Sequence, residues 1–198
     1  MNTFKTLGFI MLAALSFIAC QNKDKRALIA AANQTEPDST MYVRLESHTE
    51  DSLTFTQLDS KRTRTMGYAR AVQEKMVFGD VTDGDTLAVV PQFKERCVLS
   101  VTNLSQLIGL WMFNDNSGGG MRLTADGAAC NVGPASVSLR DWKIRNGHFI
   151  LRYVQADGSD YALRTDSSRI VSLTTDKLVY TLRDSTISCS RMDEVIGQ

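Results

Sequence analysis

The chain has 198 residues, 22 of them basic and 22 acidic, so its formal net charge is zero, and 43% are apolar. That balance excludes the basic surface needed by a nucleic-acid footprint or a polybasic membrane patch. The length suffices for one domain or two small ones.

Residues 1–19 have the layout of an export signal. Lys5 supplies a positive start, and Leu7 to Ile18 is an apolar run of 12 residues. That run is too short for a membrane span of about 20 residues and matches a secretory h-region. It leads into Phe17-Ile18-Ala19-Cys20. This tetrad resembles the lipobox of bacterial lipoproteins, with Phe17 in a place where Leu is usual. The resemblance implies cleavage before Cys20, a thioether lipid on its sulfur and an acyl chain such as palmitate on its new amine. Two or three chains hold a protein stably to a membrane where one does not. Cleavage removes Lys5 and leaves the mature chain one negative charge past neutrality. The following Gln21-Asn22-Lys23-Asp24-Lys25 resembles the charged export tag of Bacteroidota surface lipoproteins. That implies a lipid-anchored outer-membrane protein on the periplasmic or cell-surface face. Residues 20–39 then form the lipidated cysteine and a tether.

Residues 40–102 predict a small β-domain. MYVRLES, SLTFTQL, YARAVQ, DTLAVVPQF and RCVLSVT are its five candidate strands, short and alternating as half-buried strands are. Thr49-Glu50-Asp51 and Lys94-Glu95 supply turns, and Gly79 and Gly84 in the loop FGDVTDGDT suit positive φ. Five short strands in such a span predict a partly open barrel of OB or SH3 type. The strands lack the basic and aromatic density of an oligonucleotide binder.

Residues 103–198 predict a more regular β-domain of eight strands, LWMFN, GMRLT, AACNV, SVSLRDWKI, HFILRYV, YALRTDSSRIVSL, KLVYTLR and TISCSRM. Asp126-Gly127 and Asn146-Gly147 are hairpin dipeptides of the type I′ kind, and Asp157-Gly158, Thr175-Asp176 and Asp184-Ser185 mark the other turns. Eight strands joined by tight turns form an up-and-down meander that closes on itself and loses its open edges. On the last strand Ile187, Cys189 and Arg191 share one face. An arginine in that otherwise buried row needs a receiver for its charge. Trp111 is the candidate, with Arg183 as the alternative source of a cation.

Gly109-Leu110-Trp111 on the first of these strands, the eight-strand meander and Arg191 on the last resemble the lipocalin superfamily, specifically lipocalin-like domains of Bacteroidota envelope lipoproteins. The resemblance covers residues 103–192. It implies barrel closure by Gly109, Trp111 and Arg191, with the guanidinium packed over the indole.

The sequence offers no catalytic constellation, so we expect no enzyme, no cofactor and no metal. Nucleophile elbows are absent, and His48 and His148 read as exposed turn residues. Asp80, Asp83 and Asp85 lack the order of a calcium loop. Cys97, Cys130 and Cys189 have no C-x-x-C spacing. They read as three buried thiols, with one disulfide plus one free thiol as the alternative for an exported chain. The aromatic groups Trp111, Phe113, Trp142, Phe149, Tyr153 and Tyr180 give the only pocket the sequence offers. The expected function is therefore non-enzymatic binding of a small apolar ligand or an envelope partner protein. The alternative is a structural or stress-signalling lipoprotein that serves as a docking surface.

Overall fold

Alternation of apolar and polar side chains folds most of the described chain into antiparallel strands. The computed structural model describes residues 36–157 and 160–193. The expected signal peptide, Cys20 and nearly all of the tether lie outside the described residues, as does Gly158 of the Asp157-Gly158 turn. From Asp38 onward the chain forms one compact unit that holds two sheets. Among the described residues no helix is long and apolar enough to cross a membrane.

The first sheet comprises β1 (Met41–His48), β2 (Ser52–Gln57), β3 (Thr63–Gly67), β4 (Val77–Phe78), β5 (Thr86–Gln92) and β6 (Cys97–Asn103). Their order is β3-β2-β1-β5-β6-β4, and a bridge from Gly67 to Cys97 joins β3 to β6 and closes a small barrel. Val43, Leu45, Leu53, Phe55, Leu87 and Val101 fill it without exposure.

One expected strand is corrected. YARAVQ is not a strand: Ala69–Gln73 is a one-turn helix, α1, that follows Tyr68. Ala71 turns inward, and Arg70 pairs with Glu74 one turn on at 2.9 Å. The strand in that region is β3, just upstream, which pairs with β2 through hydrogen-bonded threonine pairs, Thr54–Thr65 and Thr56–Thr63, each at 2.9 Å.

The second sheet comprises β7 (Gly109–Phe113), β8 (Gly120–Leu123), β9 (Ala129–Val132), β10 (Ser138–Arg145), β11 (His148–Asp157), β12 (Asp160–Leu173), β13 (Lys177–Leu182) and β14 (Ser185–Met192). Each is antiparallel to its neighbour, and β14 pairs with β7, so the meander comes round on itself. Where β9 meets β10 the seam is thin. It holds the Ala128–Asp141 bridge and a hydrogen bond from the Leu139 amide to Asn131 Oδ1 at 2.8 Å.

The turns show what each dipeptide does. Asn146 and Gly147 both take positive φ, +48° and +77°, as a type I′ turn requires. Asp126-Gly127 is different. Only Gly127 has positive φ, and the Thr124 amide donates to Ala128 O, so a three-residue loop replaces the expected two-residue turn. The last hairpin turns on Arg183-Asp184 rather than Asp184-Ser185, because Leu182 pairs with Ser185.

The two sheets share a floor. A short helix, α2 (Leu104–Leu107), links them, and Phe78, Ala88, Leu104 and Leu107 belong to the same buried cluster as the second barrel. Tyr42 also donates its hydroxyl to the Ile144 carbonyl at 2.8 Å. The three cysteines are free thiols. Cys189 is buried, but Cys97 is only half-buried and Cys130 is exposed, which corrects the expectation of three buried thiols. Cys130 faces out because its neighbours Ala129 and Asn131 occupy the inward row of β9.

Candidate functional site

One end of the second barrel is sealed around an indole. Gly109 opens β7 at φ +143°, a region essentially restricted to glycine. A β-carbon there would run into Arg191 Nη1. The space left free is filled by the Arg191 guanidinium, whose Cζ lies 4.3 Å from the centroid of the Trp111 ring. Strand register brings the two together, since Arg191 lies directly opposite Trp111 across the β14–β7 pair.

Helix α2 supplies the rest of this seal. Its N-terminus is capped by Asn103, whose Oδ1 accepts from the Gln106 amide at 3.0 Å. A helix this short leaves its carbonyls without partners. Trp111 Nε1 donates to the Leu107 carbonyl at 2.8 Å, and Arg191 Nη1 to the Ile108 carbonyl at 3.0 Å. Arg191 Nη2 donates to the Gln106 carbonyl and Nε to that of Thr175. Trp111 is left with no exposed surface.

The interior opens with distance from this seal. Next to it the inward rows carry Met121, Leu123, Ile144, Phe149, Leu178 and Cys189, each no more than 1% exposed. Farther along the strands Phe113, Leu139, Leu182 and Ile187 face the same interior yet remain only partly buried. The end of the barrel away from Trp111 is thus less covered than the end beside it, and is called the cup below. Its floor is aromatic. Phe149 lies 6.2 Å from Trp142 and meets Tyr180 edge-on at 5.5 Å between centroids.

Polar groups interrupt the inward rows of the middle and upper barrel. Tyr153 donates its hydroxyl to Asp166 Oδ2 at 2.7 Å and receives a bond from Arg183 Nη2 at 3.3 Å. Arg183 also stands 3.8 Å from Asp166 Oδ1. Arg183 therefore sits at the mouth, at the opposite end from Trp111. Burial raises the pKa of Tyr153, Asp166 adds to the rise, and Arg183 opposes it. Tyr180 is pushed well above the ordinary phenol range, chiefly by burial and then by its neighbour Cys189. Deeper still, Ser168 faces inward opposite Phe149 at 1% exposure.

Residues 103–192 match the lipocalin-like family model. The chain is also similar to a solved lipocalin-like protein from Bacteroides thetaiotaomicron, with 21% identity and a TM-score of 0.39 over 44% of this chain and 97% of that one. No curated protein matches the chain. The matched residues take in all eight strands from β7 to β14.

The structure separates the aromatic residues singled out by sequence. Trp111 lies at the sealed end, Phe149, Trp142 and Tyr180 form the floor of the cup, and Phe113 and Tyr153 stand in its wall. Sequence reasoning put Ile187 on an inward row without naming it for the ligand site, and singled out none of Ser168, Asp166, Leu139 and Leu182 for that site. Parity counted from Ile170, Tyr180 and Cys189 reaches Ser168, Asp166, Leu182 and Ile187, but not Leu139, which lies across the register shift between Leu139 and Asp141 from Trp142. His148 is half-buried, not an exposed turn residue, and burial lowers its pKa with Arg169 adding to the effect. His48 is exposed, with Nδ1 at 2.7 Å from Asp83. Asp80 and Asp85 are engaged with Asn103 and Gln106 of the α2 cap. Among the described residues no group of three or more His, Cys, Asp or Glu side chains converges as metal ligands.

Proposed function

We propose that this protein is a lipid-anchored envelope protein that holds a small apolar ligand in the cup of its second barrel, without catalysis. The observation that carries the reading is the burial gradient. Phe113, Leu139, Leu182 and Ile187 point inward and stay partly exposed, while the rows beside Trp111 are dry. An eight-stranded barrel is wide enough either to fill with side chains or to admit one small ligand. Here the side chains of the lower half are buried, while several of the upper half are partly exposed. Mostly apolar walls with a few polar groups are the usual character of a ligand site.

Barrel closure by Gly109, Trp111 and Arg191 gives the cup a rigid floor. The anchor at Cys20 and the placement at the outer membrane rest on the lipobox-like tetrad and the charged residues after it. Native mass spectrometry of the protein purified from its own host tests the binding role. A retained small molecule that leaves on denaturation is expected. A single unliganded mass under conditions that preserve the fold would count against it.

A further inference from the structure

The hairpin of β11 and β12 runs past its neighbours. β12 pairs with β11 without a register shift from Asp160 to Ser168, yet it pairs with β13 only from Arg169 to Leu173. The β13–β14 hairpin turns back after Leu182. Among the described residues, the stretch 160–168 therefore has a strand on one side and an open edge on the other. An open edge is a template for a further strand, and proteins blunt theirs with bulges, prolines or charges. This edge has no bulge and no proline, and its charges, Asp160, Arg164 and Asp166, are of both signs. Its outward row presents Tyr161 and Leu163, 80% and 59% exposed, the two most exposed large apolar side chains among the described residues.

The edge complements itself. Two copies that pair it antiparallel about a two-fold axis set one residue opposite its own equivalent, and the flanking residues follow in mirror order. Centred on Ala162, this register sets Asp160 opposite the second copy's Arg164, and Tyr161 opposite the second copy's Leu163. Each pair occurs twice by symmetry. Opposite charges and aromatic–aliphatic neighbours both stabilise cross-strand pairs. The Asp160 carboxylate bonds no described residue. Arg164 holds Asp157 at 2.8 Å through one nitrogen, and its guanidinium has further donors for a second carboxylate. Other centres are worse. Centring on Leu163 sets Asp160 against Asp166, and centring on Arg164 sets two arginines against each other. Centring on Thr165 needs the places beside Arg169 and Ile170, which β13 already occupies. Because the two strands run in opposite directions, the barrels stand at opposite ends of the joined sheet.

We infer that two copies of this chain associate through the open edge of β12, residues 160–164 of each pairing about Ala162 into one sheet that runs through both. The occupant is a second copy because the edge matches itself in charge and in apolar contact. The contact is small, so the dimer is a reversible one that forms with rising concentration.

The test is disulfide cross-linking of the full chain in its own host, with Cys130→Ser to remove the exposed thiol. In this register Ala162 faces its own equivalent within the reach of a disulfide, so Ala162→Cys should give a covalent dimer on mild oxidation. Thr165→Cys lies too far along the strand and should stay monomeric. Adding Arg164→Asp to the Ala162→Cys chain sets acids opposite acids at two places and should cut the cross-link at least about tenfold. Adding Asp160→Arg as well restores the opposite charges and should restore the dimer, a recovery that a damaged hairpin would not show. The inference fails if Ala162→Cys links no better than Thr165→Cys, if it links to a different protein, or if the exchanged charges do not bring the dimer back.

Discussion

Gly109→Ala is the sharpest probe of the sealed end, because its penalty should depend on a residue far away in sequence. Two costs arise. The backbone is held at φ +143°, which for alanine carries strain of about 1–3 kcal/mol. The new β-carbon also meets Arg191 Nη1, so the guanidinium must move. Moving it weakens the cation–π contact with Trp111, worth about 0.5–2 kcal/mol, and its charged hydrogen bonds to the carbonyls of Ile108 and Gln106, worth roughly 1.5 kcal/mol or more each if lost outright. Partial relaxation brings the expected total to about 3–5 kcal/mol. In an Arg191→Met background only the backbone strain remains, so the same substitution should cost about 1–3 kcal/mol. The coupling, read from urea unfolding of the four proteins in the cycle by tryptophan fluorescence, should be about 2 kcal/mol. An equal penalty in both backgrounds would refute the claim that glycine is there to make room for the arginine.

Trp111→Ala should destabilise by about 3–5 kcal/mol in the same assay, as expected for a fully buried large side chain. Burial, with the charge of Asp115 adding to it, pushes the Cys189 thiol from its ordinary 9.0 to about 12. A folded-state pKa above the unfolded one means that stability is intact below pH 9 and falls as pH rises toward 12, by up to about 1.4 kcal/mol per pH unit. Cys189→Ala should flatten that slope in alkaline melts, and at pH 8 a thiol reagent should label exposed Cys130 in the native protein and leave Cys189 untouched. Cys20→Ala should abolish incorporation of a palmitate analogue in the host, and normal labelling would remove the anchor from the account.

The second barrel was the more legible part of the fold, for a physical reason. Most of its strands carry an apolar row at period two, and turn residues mark their ends. The first barrel was harder. Strand β3, TRTMG, buries only Met66, so its polar threonines and arginine hid it, and the Ala69-Arg70-Ala71 alternation just after it imitated a strand. Helices α1 and α2 span five and four residues, too short to show a helical period. Arg191 was legible because a charge in a buried row calls for a partner. Ser168 and Asp166 were not, because short polar residues on an inward row look like the outward face of a strand until cross-strand register is known.

The central claim is that the barrel is sealed at Trp111 and open at Phe113, Leu139, Leu182 and Ile187. Equilibrium titration of the full chain with N-phenylnaphthylamine, run beside the Ile187→Trp variant, tests it most directly. The account predicts saturable one-to-one binding by the native chain and its loss when an indole fills the cup. Absence of saturable binding, or unchanged binding in the folded variant, would contradict it.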